Sequence, residues 1–165
     1  MNKEGASGTP GALFERKKMR IVIEKAARRL RLEGDGGETL FACPVALGSC
    51  PTGPKEREGD GKTPEGVYFV CLKKRGKYGP SLGVSYPNEE DARRMGAAEE
   101  LISCIRERAD QKERPPWGTA LGGEIYIHGG GTEGDWTAGC VALNDGDAET
   151  LYDLVPLGTE ILIHK

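Results

Sequence analysis

Aromatic residues are scarce in this chain, 6% of 165, and it contains only two histidines. Five cysteines are present, at 43, 50, 71, 104 and 140, but none form a Cys-x-x-Cys pair. With so few histidines, a structural zinc site has no ligand set, and no metal or organic cofactor is implied. An odd cysteine count leaves at least one thiol unpaired, which suits one functional cysteine or a reducing compartment equally well. No run approaches the roughly 20 apolar residues that a membrane-spanning helix needs. The formal charge of −3 lacks the concentrated basic face that nucleic-acid binding requires. Residues 16–31 are rich in Lys and Arg, but Glu24 interrupts them and the pattern reads as strand surface. Residues 1–18 are polar with Gly, Ser and Pro and lack the apolar centre of a signal peptide. They are expected to be a flexible segment of either a cytoplasmic protein or a chain whose native start lies elsewhere. The oligomeric state is not encoded legibly, and a monomer is the simplest expectation.

What the chain does have is glycine, 25 residues, with 10 prolines among them. That abundance implies many turns and therefore many short strands. Residues 19–25 and 29–33 alternate Ile21 with Ile23 and Leu30 with Leu32 against charged neighbours, the period of half-buried strands. Residues 40–47, 67–72, 124–128 and 160–164 are further strand candidates. Residues 48–66, GSCPTGPKEREGDGKTPEG, form a long loop by composition, and loops of that length tend to be functional or mobile. A helix is expected over about 89–112, capped at Asn88, with Met95, Ala98, Leu101, Ile102 and Ile105 on one face. A shorter one is expected over about 147–154. The sum is a mainly β domain with some α, spanning 19–165, with no internal repeat.

Two motifs attract attention and fail. Gly61-Lys62-Thr63 lacks the upstream glycine of a phosphate-binding loop, since Glu56 stands there. Gly79-Pro80-Ser81-Leu82-Gly83 matches a serine-hydrolase elbow, and His128-Gly129-Gly130-Gly131 matches a lipase oxyanion sequence. In that fold, however, the His-Gly-Gly-Gly loop precedes the nucleophile, and here it follows. Ser81 is therefore expected to be a turn residue.

The constellation that survives is residues 124–143, EIYIHGGGTEGDWTAGCVAL. His128 ends a strand, a glycine-dense loop follows, and Cys140 comes twelve residues later behind Gly139. A catalytic thiol needs a base within reach and peptide N–H groups aimed at the oxygen it will charge. A neighbouring imidazolium would lower the thiol from its free value of about 8.5 toward neutrality. The plain alternative is that Cys140 is a small buried hydrophobe and His128 a strand-end residue.

The segment resembles the signature of the L,D-transpeptidase (YkuD-like) catalytic domain: an apolar strand ending in His-Gly, a variable loop, then Ser/Thr-x-Gly-Cys. The matching residues are His128-Gly129 and Thr137-Ala138-Gly139-Cys140. Upstream, residues 59–68 (GDGKTPEGVY) and Ser85-Tyr86-Pro87-Asn88 resemble two further blocks. Leu143-Asn144, the helix carrying Leu151-Tyr152 and the closing Gly158-Thr159 strand also fit, so the likeness runs in order over about residues 20–163. It implies a β-sandwich or barrel-like catalytic fold. One departure is Ala142, where many members carry Arg; the chain is similar instead to a Gly-Cys-x-Ala-Leu subgroup, some of whose members cut wall peptides.

The resemblance implies peptidoglycan stem tetrapeptides as substrate, carbapenems as acylating inhibitors, and an envelope or periplasmic place of action. Cys140 would attack the carbonyl before the terminal D-Ala, leaving a thioester for an amine or water to resolve. His128 would be the base. Backbone N–H groups of Cys140 and Gly139 would hold the oxyanion, and a carbonyl near Gly129 would orient the imidazole. Asp135 is the only nearby acid that competes for that orienting role, and a solvated loop position is preferred for it. Trp136 either lines the pocket or covers the loop. Thr137 is expected to fix the cysteine loop through local hydrogen bonds, and Tyr86 is a weaker pocket candidate. Asp60, Gly61 and Pro64 supply turn chemistry, Lys62 is expected in solvent, and the remaining cysteines are packing residues or free thiols. Three functions stay open: a transpeptidase, a hydrolase with the same Cys–His pair, and a wall-binding module with vestigial machinery.

Overall fold

The computed structural model describes residues 18–165, so nearly all of the segment expected to be flexible lies outside the described residues. Eight strands form one mixed sheet: β1 (Arg20–Glu24), β2 (Arg29–Glu33), β3 (Thr39–Pro44), β4 (Gly66–Gly76), β5 (Gly79–Val84), β6 (Tyr126–His128), β7 (Val141–Ala142) and β8 (Glu160–His164). Their spatial order is β3-β2-β1-β8-β4-β5-β6-β7. The β1–β8 and β6–β7 pairs are parallel and the other neighbours antiparallel.

The alternation read in the first two strands places Ile21, Ile23, Leu30 and Leu32 at 0% exposure. Removing each such side chain from water is worth about 1.5–3 kcal/mol. Val22 is buried as well. Both faces of β1 are therefore covered at its centre, which the alternation alone does not reveal.

The two ends of the strand order meet. Just past β3, Ala46 exchanges both backbone hydrogen bonds with Ala142 of β7 at 2.9 Å, and Gly48 bridges Thr137. The sheet thus curls back on itself, and the seam falls at the loop carrying Cys140. Ala142 is fully buried in this seam. An Arg at that position would have no room for its side chain without opening the seam.

Two expectations need correction. The long helix over 89–112 is two helices, α1 (Glu89–Arg94) and α2 (Glu99–Asp110). Gly96 adopts φ +73°, its N–H bonds Arg93 O, and Ala97 N–H bonds Ala92 O. That pair of bonds is a Schellman stop, which needs a left-handed residue and ends the helix outright. The Asn88 cap stands as read, with Asn88 and Asp91 capping each other. The short helix, α3, begins earlier than expected, at Asp145, and runs to Leu154. The second correction is Ser81, which lies buried within β5 and not in a turn. The turn is the preceding one, where Gly79 takes φ +82°; the glycines and proline around Ser81 disguised the strand.

Among the described residues, no helix is long and apolar enough to cross a membrane.

Candidate active site

β6 and β7 run parallel with Ile127 opposite Val141 and His128 opposite Ala142. Stepping back one residue brings Cys140 beside Tyr126, whose N–H donates to Cys140 Sγ at 3.3 Å. Because strand side chains alternate, Tyr126 and His128 share a face, and Cys140 and His128 become diagonal neighbours on adjacent strands. Twelve residues of sequence separation are closed by two strand ends.

His128 is 5% exposed, and its Nδ1 lies 2.6 Å from the Gly129 carbonyl. A carbonyl only accepts, so the proton sits on Nδ1 and Nε2 keeps its lone pair. Burial pushes the imidazole below its ordinary value, and the Gly129 carbonyl only partly offsets that. Tyr78, at the tip of the β4–β5 hairpin, stacks on the imidazole with ring centres 4.7 Å apart and planes 17° from parallel. The Tyr78 carbonyl also accepts from Gly129 N–H at 3.2 Å. Trp136 meets both rings edge-on, at 5.8 Å from His128 and 5.2 Å from Tyr78. Its Nε1–H donates to Gly131 O, and its ring remains 37% exposed. Trp136 therefore covers the glycine loop and borders the site at once.

Thr137 Oγ1 donates to Cys140 O at 2.7 Å and accepts from Gly139 N–H at 3.0 Å. This corrects the oxyanion assignment for Gly139, because its N–H is already engaged inside the turn. The Cys140 N–H has no hydrogen-bond partner among the described residues and is a free donor beside the thiol. Gly139 has a steric role instead. It adopts φ +140°, and a Cβ there would stand 2.8 Å from Lys62 O. Gly129 is held similarly, against the Asp145 carboxylate and the Tyr78 carbonyl.

The Cys140 thiol is half-buried, and its second contact is the Glu124 carbonyl at 3.7 Å. No hydrogen bond joins it to His128 among the described residues. Burial pushes the thiol above its ordinary value, while the Tyr126 N–H and the Lys55 ammonium pull it back. Burial thus works against the expected imidazolium-lowered thiolate on both groups, since it disfavours the charged form of each.

Three other expectations move. Tyr86 is fully buried and donates to Leu121 O at 2.6 Å, so its ring has no face for a ligand. Asp135 is not solvated but forms a two-point pair with Arg28 at 3.1 and 2.7 Å and accepts from Leu47 N–H. It ties the β1–β2 turn to the site loop and does not orient the imidazole. Asp60 is more than a turn residue, since it accepts from three backbone N–H groups and the buried Lys55 ammonium. Lys55 and Tyr78 were missed on sequence. Neither sits in a motif, and each reaches the site only through tertiary packing.

The profile of the YkuD L,D-transpeptidase catalytic domain matches residues 18–163. No curated protein sequence matches the chain. Among solved structures, the helical cell shape determining protein Pgp2 from Campylobacter jejuni superposes with a TM-score of 0.65 at 22% identity, over 90% of this chain and 48% of that one. Bd1075 from Bdellovibrio bacteriovorus gives 0.60 at 21%, over 89% and 48%. An L,D-transpeptidase from Mycobacterium smegmatis gives 0.54 at 17%, over 90% and 59%. At these identities the likeness is one of fold, and this chain spans only about half the length of the first of them.

Proposed function

The chain belongs to the L,D-transpeptidase catalytic domain family, and from that premise we propose that it transfers the acyl group of peptidoglycan stem peptides through Cys140. The observation that carries the reading is the β6–β7 register, which sets Cys140 and His128 on one face with Nδ1 bound to a carbonyl. Nε2 is then the nitrogen available to take a proton. The thiol turns from the Glu124 carbonyl toward Nε2 as the substrate carbonyl arrives. Nε2 takes the thiol proton as Sγ attacks the carbonyl carbon.

The Cys140 N–H meets the developing oxyanion. One such donor is worth about 2.7–4 kcal/mol of barrier. The imidazolium then protonates the departing D-Ala amine, leaving a thioester at Sγ. An amine of a second stem gives a cross-link, and water gives hydrolysis. With Ala142 buried in the seam, residue 142 brings no cation to either acceptor. The substrate places the action at the cell wall.

The test is incubation with a carbapenem and, separately, with a stem tetrapeptide. An intact-mass adduct and D-Ala release are both expected, and both should vanish in Cys140→Ala. Cross-linked dimer among the products assigns a transpeptidase; tripeptide alone assigns a hydrolase. Neither adduct nor turnover from folded protein would sink the reading and leave a binding role.

A further inference from the structure

Lys55 lies in the loop before β4 and is 2% exposed. Its Nζ pairs with Asp60 Oδ1 at 2.8 Å. An ammonium has three donors, and among the described residues this is the one acceptor that Nζ finds. Asp60 needs Lys55 less than the reverse, since its oxygens also accept from the N–H groups of Glu56, Arg57 and Lys62. The ammonium is therefore held in place by a carboxylate whose own demands are met elsewhere.

Nζ also lies against the loop that carries Cys140: a Cβ placed on Gly139 would stand 3.5 Å from it. Asp60 balances the charge of Lys55, but the other N–H groups of the buried ammonium lack acceptors among the described residues, and an anion beside them would supply one. The residue after Gly139 is Cys140, where negative charge forms when the thiol gives up its proton. His128 is poorly suited to supply that compensation at rest, because burial pushes the imidazole below its ordinary value and the Gly129 carbonyl offsets this only in part.

We propose that Lys55, held by Asp60, is the fixed positive charge that supports the Cys140 thiolate. The proposal rests on Cys140 being the nucleophile, but it concerns the thiol itself and not turnover. Lys55 stays protonated throughout; the thiol proton passes to His128 Nε2 or to solvent. The other charged groups facing this pair are Glu124, which opposes charge on Cys140, and Arg94, whose guanidinium reaches the Lys55 carbonyl. The Coulombic pull of Lys55 on the thiol is in the required direction.

The experiment is the pH dependence of iodoacetamide alkylation of Cys140 in the full chain, resolved by peptide mass, with Cys50 as internal control. In Lys55→Gln, a neutral donor still available to Asp60, the midpoint for Cys140 should rise by about one pH unit or more. Lys55→Arg should restore most of the shift. Lys55→Met combined with Asp60→Asn, which orphans no carboxylate, should reproduce the Gln result. Cys50 should titrate alike in all of them. A wild-type midpoint in folded Lys55→Gln or in the double variant overturns the proposal. An unchanged midpoint with a raised KM for stem peptide also overturns it, and assigns Lys55 to a substrate carboxylate. Loss of carbapenem adduct with an intact thiol profile would instead fault the functional reading, so the two failures are told apart.

Discussion

Two lysines are buried in this protein to almost the same degree, Lys25 at 3% and Lys55 at 2% exposure, and each meets a carboxylate. They differ in what surrounds them. Lys25 Nζ donates to Gly53 O, Thr63 O and Glu65, which uses all three of its N–H groups. It straps residues 53–65 onto the end of β1. Lys55 binds one carboxylate, finds no other acceptor among the described residues and lies close to Gly139. The saturated cation is a strut, and the unsaturated one, beside Cys140, is the one for which we propose a part in the chemistry. Burial alone does not separate the two; the count of acceptors does.

The comparison breaks most visibly at Lys25. Lys25→Met orphans two carbonyls and leaves Glu65 unpaired, though Glu65 is partly exposed and can rehydrate. A loss of about 3 kcal/mol is expected, toward the low end for a broken buried pair. In a chain of this size that lowers Tm by roughly 6–12 °C. Thermal unfolding checks the loss. The alkylation profile of Cys140 should stay where it was, and a shift there would erase the distinction between strut and chemistry.

Asp60 gives a smaller and pH-dependent effect. Burial alone would raise its carboxyl, but the Lys55 ammonium and the N–H groups of Glu56, Lys62 and Arg57 outweigh that and hold it at about 2. A folded value below the unfolded one means stability that is complete above the ordinary carboxylate range. It is lost as pH falls from there through about 2. The contribution is about 2 kcal/mol at neutral pH. Denaturant titrations at neutral and acid pH should show Asp60→Asn less stable at neutral pH and less sensitive to acid in that window. Equal acid sensitivity in both proteins would show that other carboxylates dominate.

The smallest effect is expected at the Arg28–Asp135 tie, whose guanidinium is 40% exposed. Solvent screens such a pair, so Arg28→Ala should cost no more than about 1 kcal/mol. Its larger consequence should be local, as faster amide exchange around Leu47 and Trp136. Protection unchanged from wild type would mean that Asp135 holds Leu47 N–H without help.

Much of the candidate site could be read from residue order, because the proposed pair, Cys140 and His128, lies inside one segment. His128 at a strand end and Cys140 behind a glycine turn are local features, and the ordered blocks around them identify the family. The supporting groups could not be read that way. Tyr78 stacks on His128 across 50 positions of sequence, from a hairpin whose second strand the Gly-Pro-Ser composition concealed. Tyr86 looked available because it sits within a matching block, yet its hydroxyl serves Leu121 in the interior. The family resemblance implied Gly139 as an oxyanion donor, but a hydroxyl two residues away takes its N–H.

The sequence by itself determined the alternating faces of β1 and β2, the Asn88 cap and the family, and it put forward Cys140 and His128 as the candidate pair. These depend on side-chain periodicity and on residues adjacent along the chain, where a few backbone angles set the geometry. Only the tertiary structure decided which buried charge is saturated, which N–H is free and which ring covers the imidazole. For Lys25 and His128 the partners come in from distant segments. For Lys55 and Gly139 they are near in sequence but are set by loop conformations that no residue pattern specifies. Desolvation then sets how much each contact matters.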